Sequence, residues 1–526
     1  MYEARSIRVP LIYTLFSVVL LMMGVSGALA QKKVKLKDAD QLRGGRRGDE
    51  RFERVIGNVV FVQNQTTIYC DSAHFYKKRN SVEAFGRVRI TDGDSVTITA
   101  ARLEYDGNTK KAKLRDDVVF NKLATATLYT DYLDYERPNS MAYYFNGGRL
   151  VDSVNVLTSN KGYYNVNSNL ASFKKNVKVV NPDYTMLSDS LRYNSRTKII
   201  FFVTKTTVIN KDSSTFVYEG GEYNTRTKVS DIKSGLGEST EYTIAGDKYD
   251  GDAIRNIVKV RGNVVMTSKK ENLIIYGQAS DYFKNTGVTK VYNQAYVAKI
   301  TEENDTLFMT ADTLVSIDSK DPQMKRLLAY HNVKIYKSDL QGIADSLEYR
   351  SADSTIYFYK KPILWTQGNQ MTADSISMLI EKNSISRIYM VANSFVISQD
   401  TLFHFNQIKG RRMTAHLANS KINRVEVEGN GESIYYALDD KNLSLMGMNK
   451  IICSNITIRF KEGRVHNLSF YVKPEANFIP PHELKKEDRT LKGFEWKENQ
   501  KPEKADVVKG ARNEPNLKSE AQKKKL

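Results

Sequence analysis

Gly86 to Tyr105 reads GRVRITDGDSVTITAARLEY. Val88 and Ile90 alternate with Arg87 and Arg89, and Thr91-Asp92-Gly93-Asp94 makes a turn. Val96, Ile98 and Ala100 then alternate with Thr97 and Thr99, and after a corner at Ala101-Arg102 the alternation resumes in Leu103-Glu104-Tyr105. Period-two patterning broken by Asp and Gly predicts short antiparallel strands, each with one buried face. One such unit has too little apolar surface to fold alone, so its meaning depends on recurrence.

It recurs along most of the chain. Gly57-Asn58-Val59-Val60-Phe61 leads to Thr67–Phe75, Asp117-Val118-Val119-Phe120 to Ala126–Tyr135, and Asn176-Val177-Lys178-Val179 to Thr185–Tyr193. Gly262-Asn263-Val264-Val265-Met266 leads to Ile275–Tyr282, and His331-Asn332-Val333-Lys334-Ile335 to Gly342–Tyr349. The marks fall about 30 residues apart, a spacing typical of repeat architectures. Each copy has Gly/Asn-Val-x-apolar, a turn, then apolar-x-Ala-Asp-Ser-apolar-x-Tyr. No amphipathic helix is evident between about 54 and 473, so the region is predicted to be an all-β, elongated repeat stack of short antiparallel strands. Gly-Asn supplies positive φ at a corner. The Asp-Ser pair is expected to cap a bend through its own backbone, and the closing Tyr to lie with its hydroxyl near water.

The ends have a different character. Arg5 and Arg8, an apolar run from Leu11 to Met23 and Ala28-Leu29-Ala30 describe a secretory signal over 1–30, cut after Ala30. Residues 31–53 read as a flexible basic lead-in, 54–200 and 201–473 as the two parts of the β-repeat region, and 474–526 as a charged, disordered tail. Cys70 and Cys453 are too far apart along a stack to pair and fit as small core residues. The net charge is +19, but export and the lack of a concentrated basic helix or RNA-binding aromatic signature argue against nucleic acid. An anionic envelope component suits the compartment better.

Chemistry is not suggested. Asp71, Asp189, Asp345 and Asp374 recur at the same place in successive copies, as a structural corner does and a single catalytic pair does not. His404 and His416 lack metal-ligand spacing, and phosphate-binding and nucleophile-elbow motifs are missing. We therefore expect no enzyme, no metal and no cofactor.

With these residues quoted, the secretory signal and the repeated Gly-Asn-Val-x-apolar and Ala-Asp-Ser/Thr-apolar-x-Tyr units resemble the OstA-like family, the LptA and LptD N-terminal-domain type of lipopolysaccharide-transport protein. The best matching stretches are Gly57–Tyr105, Asn176–Tyr193, Gly262–Tyr282 and His331–Tyr349. The resemblance implies an open β-jelly roll, a folded-over sheet whose apolar groove holds acyl chains while the sugars stay outside. It also implies periplasmic localisation, possible only after export, lipopolysaccharide or a related anionic lipid as ligand, and end-to-end β-strand stacking with other envelope transport proteins near the outer membrane. Alternation alone selects the groove candidates: Val59, Phe61, Val88, Ile90, Val96, Ile98, Val177, Val179, Val264, Met266, Val333 and Ile335. Two other readings compete with lipid carriage. One is a structural or adhesive β-solenoid with a filled core; the other is a polysaccharide-acting enzyme on a β-helix, for which the sequence supplies no acidic cleft.

Overall fold

The structure, a computed structural model, describes residues 33–508 except 94–95, 123–125, 240–241, 271, 302–304, 320, 382–383, 419–420, 440–443 and 462–463. Residues 1–30, read above as a secretory signal, and the last eighteen positions, 509–526, lie outside the described residues. What is described is all-β, and none of its helices is long and apolar enough to cross a membrane. The chain forms two compact units. The first ends at Val179 and includes Asn194–Arg196; the second comprises Val180–Tyr193 and everything from Thr197.

The first unit is an antiparallel meander of strands such as Thr66–Tyr76, Ser81–Asp92, Val96–Asp106, Lys111–Lys122 and Ala126–Glu136. Each strand breaks register near its middle, for instance between Phe85 and Val88 and between Arg115 and Val118. These bulges bend every strand, and the unit becomes two half-sheets joined along a line of corners. On one half-sheet Phe61, Ile68, Ile90, Ile98, Phe120, Leu128, Leu150 and Leu157 stand opposite one another in an unbroken cross-strand row. On the other, Val55, Ala73, Ala84, Leu103, Leu114, Leu133 and Tyr144 form a second row. Both rows face inward, and nearly all their members are buried.

The corners explain the Gly-Asn signature. Gly86 and Gly262 adopt φ of 72° and 70°, where a side chain is strained. A Cβ on either would also lie 2.6 or 2.5 Å from a carboxylate oxygen, of Asp71 and Asp247 respectively. That carboxylate in turn accepts from the next corner residue: Arg87 Nε donates to Asp71 Oδ1 at 2.9 Å, and Asn263 Nδ2 to Asp247 Oδ2 at 2.8 Å. Asn332 and Asn393 repeat the contact with Asp312 and Asp374 at 2.8 and 2.9 Å. Here the structure differs from the expectation that the recurrent Asp caps its own bend. The acid of one strand ties the corner of its neighbour, a contact between strands that periodicity within one strand does not reveal.

The second unit repeats the plan with longer strands, Ser384–Gln399, Phe405–Ala418, Lys421–Leu438 and Leu445–Lys461. From Met266 to Ile458 its buried apolar side chains form one cluster. Here one half-sheet is apolar on its outer face as well, where Phe395, Ile397, Ile434, Tyr436 and Met448 form a second buried cluster. A strap from the C-terminal region covers them. Leu491 is 4% exposed, and Leu484, Phe494 and Trp496 pack beside it. Two buried glutamines grip the strap backbone as a neighbouring strand would. Gln407 donates to Arg489 O and accepts from Leu491 N–H, both at 2.8 Å; Gln370 donates to Glu495 O and accepts from Lys497 N–H, both at 2.7 Å. Further on, Val507 is fully buried, and Val508 packs against Ile274, Tyr276, Tyr296 and Ala298.

Two segments read as unstructured are therefore placed. Within 31–53 the strands Lys35–Asp38 and Gln41–Arg47 pair with Glu50–Gln63, and Val34 is buried. Within 474–508 the strand Glu475–Ile479 and the strap are held by a few apolar anchors at irregular spacing, which average composition hides. Cys70 and Cys453 are free and buried; burial above all pushes the Cys70 thiol up to about 12.

Candidate functional site

The feature with functional content is the apolar interior between the half-sheets, together with the mouth opposite the corners. The twelve residues selected by alternation all lie in the interior. Val59, Phe61, Val88, Ile90, Val96, Ile98, Val177 and Val179 occupy the first unit and are at most 2% exposed; Val264, Met266, Val333 and Ile335 occupy the second and reach at most 7%. The fold brings them together, within each unit, against protein. A looser spot exists in the first unit, a cavity of about 20 Å³ lined by Phe120, Leu128, Tyr144, Leu150, Ala171 and Phe173, with Lys122 and Ser195 at its polar side. A wider, open cleft of about 620 Å³ has a mixed lining, with Asp117, Asp131, Arg149 and Asn176 beside Val118, Val119 and Tyr129.

The mouth is bridged. Tyr105 Oη donates to Gln63 Oε1 at 2.5 Å, and Gln63 Nε2 donates to Gly107 O at 2.8 Å. One repeat on, Asp92 accepts from Tyr135 Oη at 2.9 Å and from Arg137 Nε at 2.6 Å. In the next, Lys122 Nζ donates to Asn169 Oδ1 at 2.7 Å and to the carbonyl of Val166. Each bridge joins the tip of one half-sheet to a turn of the other, some 42 to 47 residues later. The second unit carries comparable pairs, Lys228–Asp183 at 3.3 Å and Lys284–Asp212 at 2.8 Å. We call these bridges latches.

Electrostatics follow from burial. Tyr105 is 3% exposed, and its hydroxyl is pushed up to about 12, chiefly by burial. Tyr135 is raised by burial and then by the Asp92 charge, so both remain donors at physiological pH. Burial lowers the Lys122 ammonium. Tyr105 and Tyr135 thus point into the mouth and latch it, whereas the sequence suggested hydroxyls in water; Tyr282, 37% exposed, keeps the expected position. The Arg137–Asp92 pair is mostly buried, its side chains 21% and 12% exposed.

The acids singled out earlier sort themselves. Asp71 and Asp374 tie corners, Asp345 accepts from Ser346 and Lys360, and Asp189 is exposed. The two histidines do have acidic neighbours, His404 with Asp400 at 3.1 Å and His416 with Glu426 at 3.0 Å. His404 also stacks on Tyr436 at 4.6 Å. Sequence reasoning missed the latch residues Gln63, Asp92, Lys122, Arg137 and Asn169. The recurring terminal Tyr was the one available signal, and its partner lies more than a repeat away.

A folded-over, two-half-sheet β architecture with an apolar interior thus defines the class. Residues 31–189 match the model of the family described as OstA-like protein, a stretch that takes in 31–179 of the first unit and 180–189 of the second. Among solved structures the chain is similar to LptH of Pseudomonas aeruginosa, the LptA-homologous periplasmic component of its lipopolysaccharide transport device. The two are 14% identical with a TM-score of 0.19, over 22% of this chain and 79% of that one. No curated protein matches the chain.

Proposed function

We propose that this protein is a non-enzymatic carrier of the bacterial periplasm, helping to move lipopolysaccharide or a related anionic lipid towards the outer membrane. The observation that carries this reading is an apolar interior whose two walls are joined at the mouth by side-chain latches instead of by strand pairing. Side-chain bridges can part without dismantling either half-sheet. An acyl chain entering between the walls gains about 0.8 kcal/mol per CH2, so a chain of ordinary length offsets several lost hydrogen bonds of about 1 kcal/mol each. The OstA-like match over 31–189 supports the assignment to lipid transport. A signal segment cut after Ala30 would deliver the chain to the periplasm.

Partners are proposed at the strand edges. Among the described residues Arg464–Tyr471 pairs only with Leu445–Lys461, and Leu468, Tyr471 and Phe478 nearby are exposed. An edge of this kind accepts another strand, which suits stacking on a second envelope protein. The experiment that tests carriage places photo-crosslinkers at Phe61, Ile90 and Ile98. Capture of lipopolysaccharide in cells is expected there, and capture confined to Arg87 or other outer positions would reject it. The close packing of all twelve interior candidates favours a second reading, a filled structural β-stack; in that case none of the interior positions captures lipid.

A further inference from the structure

The latches have a chemistry of their own. Three features coincide at the mouth of the first unit. The cations Lys122 and Arg137 sit at the boundary between solvent and the apolar rows. Each is engaged by protein oxygens, Asn169 Oδ1 and Val166 O for Lys122, and Asp92 Oδ1 and, at 3.4 Å, Gln65 Oε1 for Arg137. Beside Lys122 lies the small cavity lined by Phe120, Leu128, Leu150 and Phe173.

We propose that Lys122 and Arg137 are exchange sites, giving up these protein oxygens for the phosphate oxygens of an amphiphile whose acyl chains pass between the half-sheets. The inference rests on the lipid-carrier reading and adds to it how the interior opens. Parting the lips without replacement would leave a mostly buried guanidinium and carboxylate unpaired, a heavy cost. A bare hydrocarbon does not compensate for that loss, whereas a phosphate presents several strong acceptor oxygens to the same cations. At Lys122 the exchange replaces the neutral oxygens of Asn169 and Val166, weaker acceptors than a phosphate. The planar fork of Arg137 suits phosphate as well as it suits Asp92. A lipid A type headgroup and a glycerophospholipid share this phosphate chemistry.

The test uses the mature full chain with spin labels at Asn64→Cys and Asn139→Cys, exposed positions on opposite lips, the native cysteines being buried. Dihexanoyl phosphatidic acid is expected to bind and to widen the label separation. Dihexanoyl phosphatidylcholine, with the same chains and a shielded phosphate, is expected to bind about tenfold more weakly. Inorganic phosphate alone should leave the separation unchanged, and widening by phosphate alone would overturn the coupling to chain insertion. Two substitutions should act in opposite directions. Arg137→Gln lowers phosphatidic acid affinity about tenfold, whereas Asp92→Asn, which removes the competing carboxylate, raises it. Lys122→Arg keeps binding and guards against a folding artefact in Lys122→Gln, which lowers it. If Arg137→Gln and Asp92→Asn shift affinity in the same direction, or neither shifts it, the exchange is wrong even though lipid carriage stands. If neither amphiphile binds the unsubstituted protein, the carrier reading itself fails.

Discussion

At single residues, the corners are where sequence and backbone meet most tightly. Gly86 and Gly262 combine positive φ with a carboxylate packed against the Cα. Gly86→Ala or Gly262→Ala should therefore cost about 1–3 kcal/mol, read as a lower urea midpoint. Gly93→Ala is the control, since its φ is 58° but nothing lies within 4 Å of the added methyl; only the backbone penalty of about 1 kcal/mol applies there. An equal loss at all three positions would show that the Asp contact contributes nothing. Acid sensitivity belongs at this scale too. Burial tends to raise the Asp212 carboxyl, but hydrogen bonds from Lys284 and Ser214 outweigh it and hold the group at about 2. A depressed carboxyl stabilises the fold above its unfolded value of 3.8, and that stability is lost as pH falls towards 2. Asp212→Asn should flatten the fall in melting temperature between about pH 4 and pH 2.

Among the elements, the bent strand is legible in the sequence and the mouth is not. Val88-Arg89-Ile90 and Val96-Thr97-Ile98 announce a strand with one buried face, and Gly86-Arg87 announces its corner. Local alternation settles both. Latches depend on which tip meets which turn, set by the way the half-sheets fold towards one another, and Gln63 carries no sign that Tyr105 is its partner. Asp92 was legible only as part of a turn, yet it holds Tyr135 and Arg137. Tyr135→Phe removes one donor to a buried carboxylate and should cost about 1 kcal/mol, with faster hydrogen exchange at the turn following Glu136. Unchanged exchange there would mean that Arg137 alone holds the latch. The twelve interior positions were legible as a buried face; whether that face meets lipid is a question of opening, which alternation does not address.

Across the chain, both tryptophans, Trp365 and Trp496, belong to the second unit. Tryptophan fluorescence therefore follows that unit alone, and a transition seen by tyrosine but not by tryptophan would report the first. Truncation after Glu483 should uncover Phe395, Ile397, Ile434, Tyr436 and Met448. Each large side chain exposed costs about 1.5–3 kcal/mol. The expected result is binding of a hydrophobic dye and self-association, with Trp365 fluorescence shifted to the red. A truncated protein as stable and monomeric as the full chain would reduce the strap to decoration.

The strap also sets an order in time. On the proposed export route, amino end first, the early repeats arrive while the later ones are still on the other side of the membrane. Strands such as Phe405–Ala418 arrive with an outer apolar face that nothing yet covers, because their cover is encoded some eighty residues later, at Arg489 and Leu491. Until that last piece emerges, the second unit carries an exposed apolar face open to chaperones. Premature termination anywhere before residue 490 would leave it permanently in that condition.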